Sequence, residues 1–136
     1  MRRTIWTFWL PPFLYTLLII FASTLPNRVV SEYTFELSDK ILHSVHFMLY
    51  GITLIWGFLG TQALEEGFKN AYLKAIGVGM VVACLDEFYQ SFIPSRTSSV
   101  WDILADSVGI LLAGITFYYL MKIPVVKRIR RYVEAT

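Results

Sequence analysis

Four long apolar stretches leave this chain few ways to fold. The hydrocarbon core of a bilayer, about 30 Å thick, is crossed by about 20 helical residues rising 1.5 Å each. Stretches of that size run from about Ile5 to Leu25, Ile41 to Gly60, Tyr72 to Ile93 and Trp101 to Met121, and they use most of the 136 residues. Lipid offers no partner to backbone amides and carbonyls, so such segments satisfy these groups internally, as helices. A membrane β-barrel would show alternating hydrophobicity in segments of about ten residues, and the sequence has none. The expected fold class is all-α: a polytopic membrane protein with four transmembrane helices, one domain over residues 1–136.

Charged residues make up 16% of the chain, against roughly 25% in soluble domains. The length excludes a large multidomain enzyme or a transporter of ten or more spans. Cys84 is the single cysteine, which excludes an intrachain disulfide framework and a multi-cysteine metal site. Arg2 and Arg3 ahead of an apolar run that ends in Ala22, Ser23 and Thr24 have the outline of a secretory signal. The run is longer than the roughly 7–15 residues of a signal core, so an uncleaved span is expected. Pro11 and Pro12 are expected in its first turns, where a missing amide donor costs least.

Lysine and arginine gather on the cytoplasmic side of membrane proteins. Arg2, Arg3, Lys69, Lys74, Lys122, Lys127, Arg128, Arg130 and Arg131 fall on one side of the four-span layout, and only Arg28, Lys40 and Arg96 on the other. Both termini and the Gln62 to Asn70 loop are therefore expected in the cytoplasm. The Pro26 to Lys40 and Pro94 to Val100 loops are expected outside. The basic tail 122–136 interleaves Val125, Val126, Ile129, Tyr132 and Val133 with its cations, which suits the surface of an anionic inner leaflet. The sequence contains no GxGxxG and no P-loop, so nucleotide-driven chemistry and a nucleic-acid partner are not expected.

Ionisable groups in membrane spans cost several kcal/mol, so each requires an account. Asp39, His43, His46 and Tyr50 are spaced by four, three and four at the start of span two, along one helix stripe, with Lys40 beside them. Asp86, Glu87 and Gln90 end span three, while Asp102, Asp106 and Gly109 open span four, after Arg96 in the preceding loop. In the expected topology all of these fall in the outer half of the bundle, where Ser23 and Thr24 of span one complete a polar pocket. Internal pairing, such as Arg96 with Asp102 or Lys40 with Glu87, would make the cluster purely architectural. Small residues such as Gly109, Ala113 and Gly114 can hold helices together without that desolvation cost.

Two uses of the cluster fit its chemistry. Adjacent carboxylates in a low dielectric hold one proton between them and can act as acid and base, with Asp86, Glu87 and His43 as the catalytic candidates. Histidine with Asp or Glu at helical spacings of three and four can also aim ligands at a divalent metal, although no HExxH occurs. The sequence therefore assigns no cofactor. Serine chemistry has no GxSxG to support it.

The order of motifs resembles that of the VanZ-like family. Asp39-Lys40-Ile41-Leu42-His43 opens the second span and Asp86-Glu87-Phe88-Tyr89-Gln90 ends the third. Pro94 and Arg96 follow, and Asp102 to Gly109 reads DxxxDxxG at the start of the fourth. The resemblance covers about residues 5 to 121 and implies a small bacterial membrane protein, in a family whose namesake is associated with resistance to the lipoglycopeptide teicoplanin. It brings no established reaction. Many members have asparagine where this chain has Asp106, and His46 stands where an acidic or neutral residue is expected.

Three functions follow as expectations. The first is an outward-facing pocket that binds the polar headgroup of an envelope amphiphile, such as a lipid-linked cell-wall precursor or a lipoglycopeptide. Its candidate ligand-binding residues are Asp39, Lys40, His43, His46, Asp86, Glu87, Gln90, Arg96, Asp102 and Asp106. Lys40 and Arg96 would hold phosphate or carboxylate, and Asp102 and Asp106 would fix the basic groups. The second is an intramembrane hydrolase or transferase acting on such a lipid through Asp86, Glu87 and His43. The third is a noncatalytic assembly partner for another membrane protein.

Overall fold

The computed structural model describes residues 2–25, 36–66, 68–94, 96, 98–120 and 122. They form four helices in chain order: α1 (Arg2–Thr24), α2 (Glu36–Glu66), α3 (Phe68–Gln90) and α4 (Val100–Leu120). Three of them contain stretches long and apolar enough to cross a membrane: Trp6–Thr24, Asp39–Thr61 and Val100–Leu120. Helix α3 matches α1 in length at 23 residues. It carries Lys69 and Lys74 near one end and Asp86 and Glu87 near the other, with an apolar centre between them.

Each helix end has a local cause. Leu25 N–H closes a tight turn on Ala22 O at 3.1 Å at the end of α1, just before Pro26, which disfavours helical geometry in the residue preceding it. Three turn bonds finish α3, the last from Ile93 N–H to Gln90 O at 3.0 Å; Pro94 follows. Ser99 caps α4, its Oγ accepting from Trp101 N–H at 3.2 Å, so a donor orphaned by the helix start is satisfied.

Helix α2 is the centre of the bundle and packs against the other three, most extensively against α4 and α3. Close approach is possible because small residues meet at the crossings. A Cβ on Gly51 would lie 2.7 Å from that of Ala113, and one on Gly109 would collide with the Ser44 carbonyl and lie 2.9 Å from the Met48 amide nitrogen. Between these crossings Phe47, Tyr50, Leu54, Ile55, Ala75, Ala83 and Ile110 form a continuous buried core.

The distribution of side chains is that of a protein solvated by lipid. Phe13, Phe21, Phe88 and Trp101 are more than 60% exposed, whereas Ser23, Asp86, Glu87, Gln90, Asp102 and Asp106 are buried. Water would favour the reverse.

Several boundaries differ from the sequence reading. Pro11 and Pro12 lie in the interior of α1 rather than in its first turns, because helix begins at Arg2. Lacking an N–H, Pro12 leaves the Phe8 carbonyl without its usual helical donor. Here α2 comes close through Gly57, where a Cβ would stand 3.3 Å from that carbonyl oxygen. Helix α2 takes up the end of the expected outer loop from Glu36 onward, and runs to Glu66, so one residue separates it from α3 where a short loop was expected. The third apolar stretch stops being helical at Gln90 rather than Ile93. The basic tail beyond Lys122 lies outside the described residues.

Candidate functional site

The polar residues of all four helices meet at one end of the bundle. The end of α1, the start of α2, the end of α3 and the start of α4 converge there, together with the segment carrying Arg96. Two sub-sites result, one open and one closed, and His43 belongs to both.

The open part is a cleft of about 220 Å³ lined by Ser23, Asp39, His43, His46, Asp86, Gln90 and Arg96 over an apolar floor that includes Ile19 and Phe47. Its polar wall is fixed by a chain of bonds. Ser23 Oγ bonds Asp86 Oδ1, Gln90 Nε2 donates to Asp86 Oδ2 at 2.8 Å, and Arg96 Nη1 donates to Gln90 Oε1 at 3.2 Å. Arg96 also donates from Nε to Leu25 O at 3.1 Å and from Nη2 to Ala22 O at 2.9 Å. Those carbonyls lie at the C-terminal end of α1, where the regular helical donors run out and the negative end of the helix dipole falls. Arg96 therefore caps α1 from a distant part of the chain, with three of its five guanidinium N–H groups engaged among the described residues. His46 is held by its rings' neighbours, edge-on to Tyr15 at 5.2 Å.

The closed part lies among α2, α3 and α4. His43 Nδ1 is 3.0 Å from Asp106 Oδ1, and Asp106 has no exposed surface at 0%. Glu87 Oε2 accepts the Ser99 N–H at 2.9 Å. In a capping box that N–H would be taken by the side chain three residues on, here Asp102. Asp102 is instead paired with Lys40, so a glutamate from another helix completes the cap. Lys40 also lies 3.5 Å from Asp39. Glu87 Oε1 and Asp106 Oδ2 are buried and have no hydrogen-bond partner among the described residues. Two groups, His43 with Glu87 and Asp106, and His43 with Asp39 and Asp102, bring ligand atoms within 4.8 Å of one another.

The structure thus brings together every candidate residue named from the sequence, but divides them. Asp39, His43, His46, Asp86, Gln90 and Arg96 line the cleft; Lys40, Glu87, Asp102 and Asp106 lie outside its lining. Asp86 and Glu87, adjacent in sequence, point to different partners because neighbouring helical residues are about 100° apart. The pairings considered above are corrected: Lys40 is paired with Asp102, not Glu87, and Arg96 binds Gln90 and two carbonyls rather than Asp102. The first turn of α4 faces the first turn of α2, while Arg96 lies across the end of α1. Sequence reasoning missed the carbonyls of Ala22 and Leu25 and the Ser99 amide, since backbone groups carry no residue signature. A cation in a loop next to a helix C-terminus was the available signal.

A family model described as VanZ/LLP1 matches residues 3–122, which takes in all four helices apart from Arg2. No curated protein and no solved structure matches the chain.

Proposed function

The chain belongs to the VanZ/LLP1 family, and from that premise we propose that its polar cleft binds the headgroup of an amphiphile of the bacterial envelope. The single observation carrying this reading is the lining of the cleft: charged and amide groups of Arg96, His43, His46, Asp39 and Gln90 above apolar Ile19, Leu42 and Phe47. With Asp39 and Asp86 also on the wall, that combination suits a molecule with a polar head, its anionic groups toward Arg96, and an apolar tail. Leu42 on the lining is 51% exposed, so an acyl or prenyl chain leaving the cleft would lie against lipid.

In this reading α3 is a fourth span, the ends of α1 and α4 remote from the cluster face the cytoplasm, and the cleft opens outward in the plasma membrane. The nine-to-three bias of lysine and arginine supports that orientation. Lipid-linked cell-wall precursors and lipoglycopeptides such as teicoplanin are the amphiphiles of matching chemistry there. His43 and Asp86 share the cleft, so a hydrolase or transferase acting on the same ligand would use them as its base and acid.

The test is calorimetric titration of the purified protein in detergent with a polyprenyl phosphate and, separately, with teicoplanin. One of the two should bind saturably, and Ala22→Trp, which fills the cleft, should weaken binding at least tenfold, while Leu111→Trp on the exposed side of α4 should not. Absence of saturable binding by both, or equal binding by Ala22→Trp, contradicts the proposal. Turnover would appear as a change in the recovered lipid.

A further inference from the structure

We infer that His43, Glu87 and Asp106 bind one divalent metal ion, zinc or manganese, at the buried junction of α2, α3 and α4. Two buried carboxylate oxygens lack partners among the described residues. Glu87 is 3% exposed and Asp106 0%, and Glu87 Oε1 and Asp106 Oδ2 accept no hydrogen bond among the described residues. A buried carboxylate oxygen left in this state is costly, and more so in a membrane interior. The two oxygens belong to the residues that, with His43, place ligand atoms within 4.8 Å of one another.

Charge points the same way. Among the described residues the Lys40 ion pairs end on Asp102 and Asp39, and the Arg96 hydrogen bonds run to Gln90 and the end of α1, not to Glu87 or Asp106. Among the described residues the cation paired with this carboxylate couple is a protonated His43 at Asp106, one charge for two carboxylates. A divalent ion with two carboxylates and a neutral imidazole closes that deficit. The second group, Asp39 with His43 and Asp102, already contains the Lys40 ammonium at Asp102 and needs no ion.

Geometry and ligand type then narrow the choice. His43 Nδ1 and Asp106 Oδ1 are 3.0 Å apart, close enough to serve as neighbouring ligands of one ion with bonds of about 2.1 Å. One imidazole and two carboxylates favour zinc or manganese over the all-oxygen preferences of magnesium and calcium. The ligands come from α2, α3 and α4, so the ion joins three helices at one point. His43 also lines the cleft, which puts the ion one side chain away from whatever the cleft holds. The inference goes beyond the headgroup proposal and does not depend on it.

The test uses the full chain purified in detergent, stripped with a chelator and dialysed separately against zinc and manganese. Elemental analysis should return about one ion per chain, with a rise in thermal unfolding temperature. Pulsed electron paramagnetic resonance of the manganese form should show a coupled imidazole nitrogen. Glu87→Gln and Asp106→Asn should each weaken binding at least tenfold, whereas Asp39→Asn should retain it. The inference is overturned by a stoichiometry far below one, by bound manganese without nitrogen coupling, or by loss in Asp39→Asn with retention in Glu87→Gln. Should both carboxylate variants fail to fold, the stoichiometry and nitrogen coupling of the wild type decide alone.

Discussion

Asp102 shows how a single buried carboxylate is kept in this bundle. Its side chain is 6% exposed and its cation, Lys40, 28%, so removing the cation strands a charge that water scarcely reaches. Lys40→Met should destabilise the protein by about 1–3 kcal/mol, less than a fully buried pair because the ammonium is partly solvated. Asp39→Asn should cost under about 1 kcal/mol, its contact with Lys40 being longer and more exposed. The double variant Lys40→Met/Asp102→Leu should recover most of the loss. Chemical unfolding followed by helicity checks all three, and an additive double variant would contradict a direct pair. The stripe of Asp39, His43 and His46 was legible in the sequence because helical spacing alone puts those residues on one face. Their partners were not legible: the sequence also offered Glu87 to Lys40, and only the packing of α4 against α2 selects Asp102.

At the scale of the helices, packing rests on glycines at contact points. Gly109 lies against the backbone at Ser44 and Met48, which cannot move aside as a flexible side chain could. Gly109→Ala should therefore separate α4 from α2 and cost about 1–3 kcal/mol, the range of an overpacked core. Gly77 on α3 has nothing within 4 Å of an added Cβ, and Gly77→Ala should be neutral or stabilise by up to about 1 kcal/mol through helix propensity. Unfolding midpoints measured side by side give the contrast, and equal effects would refute the packing account. The Arg96 cap makes a second claim at this scale. Arg96→Gln should raise hydrogen exchange at least tenfold in residues 21–25 while leaving residues 12–18 of α1 unchanged. The existence of all four helices could be read from apolar length. The register of α1 could not, because Pro11 and Pro12 resemble start signals, whereas the helix begins at Arg2 and carries both in its interior.

For the whole molecule, the arrangement joins an apolar exterior to a polar end that is partly open. The topology we propose has a direct readout in a Cys84→Ser background. A membrane-impermeant maleimide should label Ser98→Cys on intact cells and Lys69→Cys only after permeabilisation. Labelling of both from the same side would show that α3 does not cross the membrane. The convergence of the polar groups was legible once the four spans were arranged alternately up and down. The division between an open cleft and a closed triad was not, since it depends on which way Asp86 and Glu87 turn. The binding role we propose for the cleft is tested most directly in the living membrane, with a photo-crosslinking amino acid at Leu42, on the cleft lining and 51% exposed, and at Leu111, on the α4 surface and 46% exposed. The lipids captured at Leu42 should be enriched at least tenfold over those at Leu111 in one anionic headgroup class. The same lipid profile at both positions would mean that the cleft meets only bulk bilayer and would contradict the account.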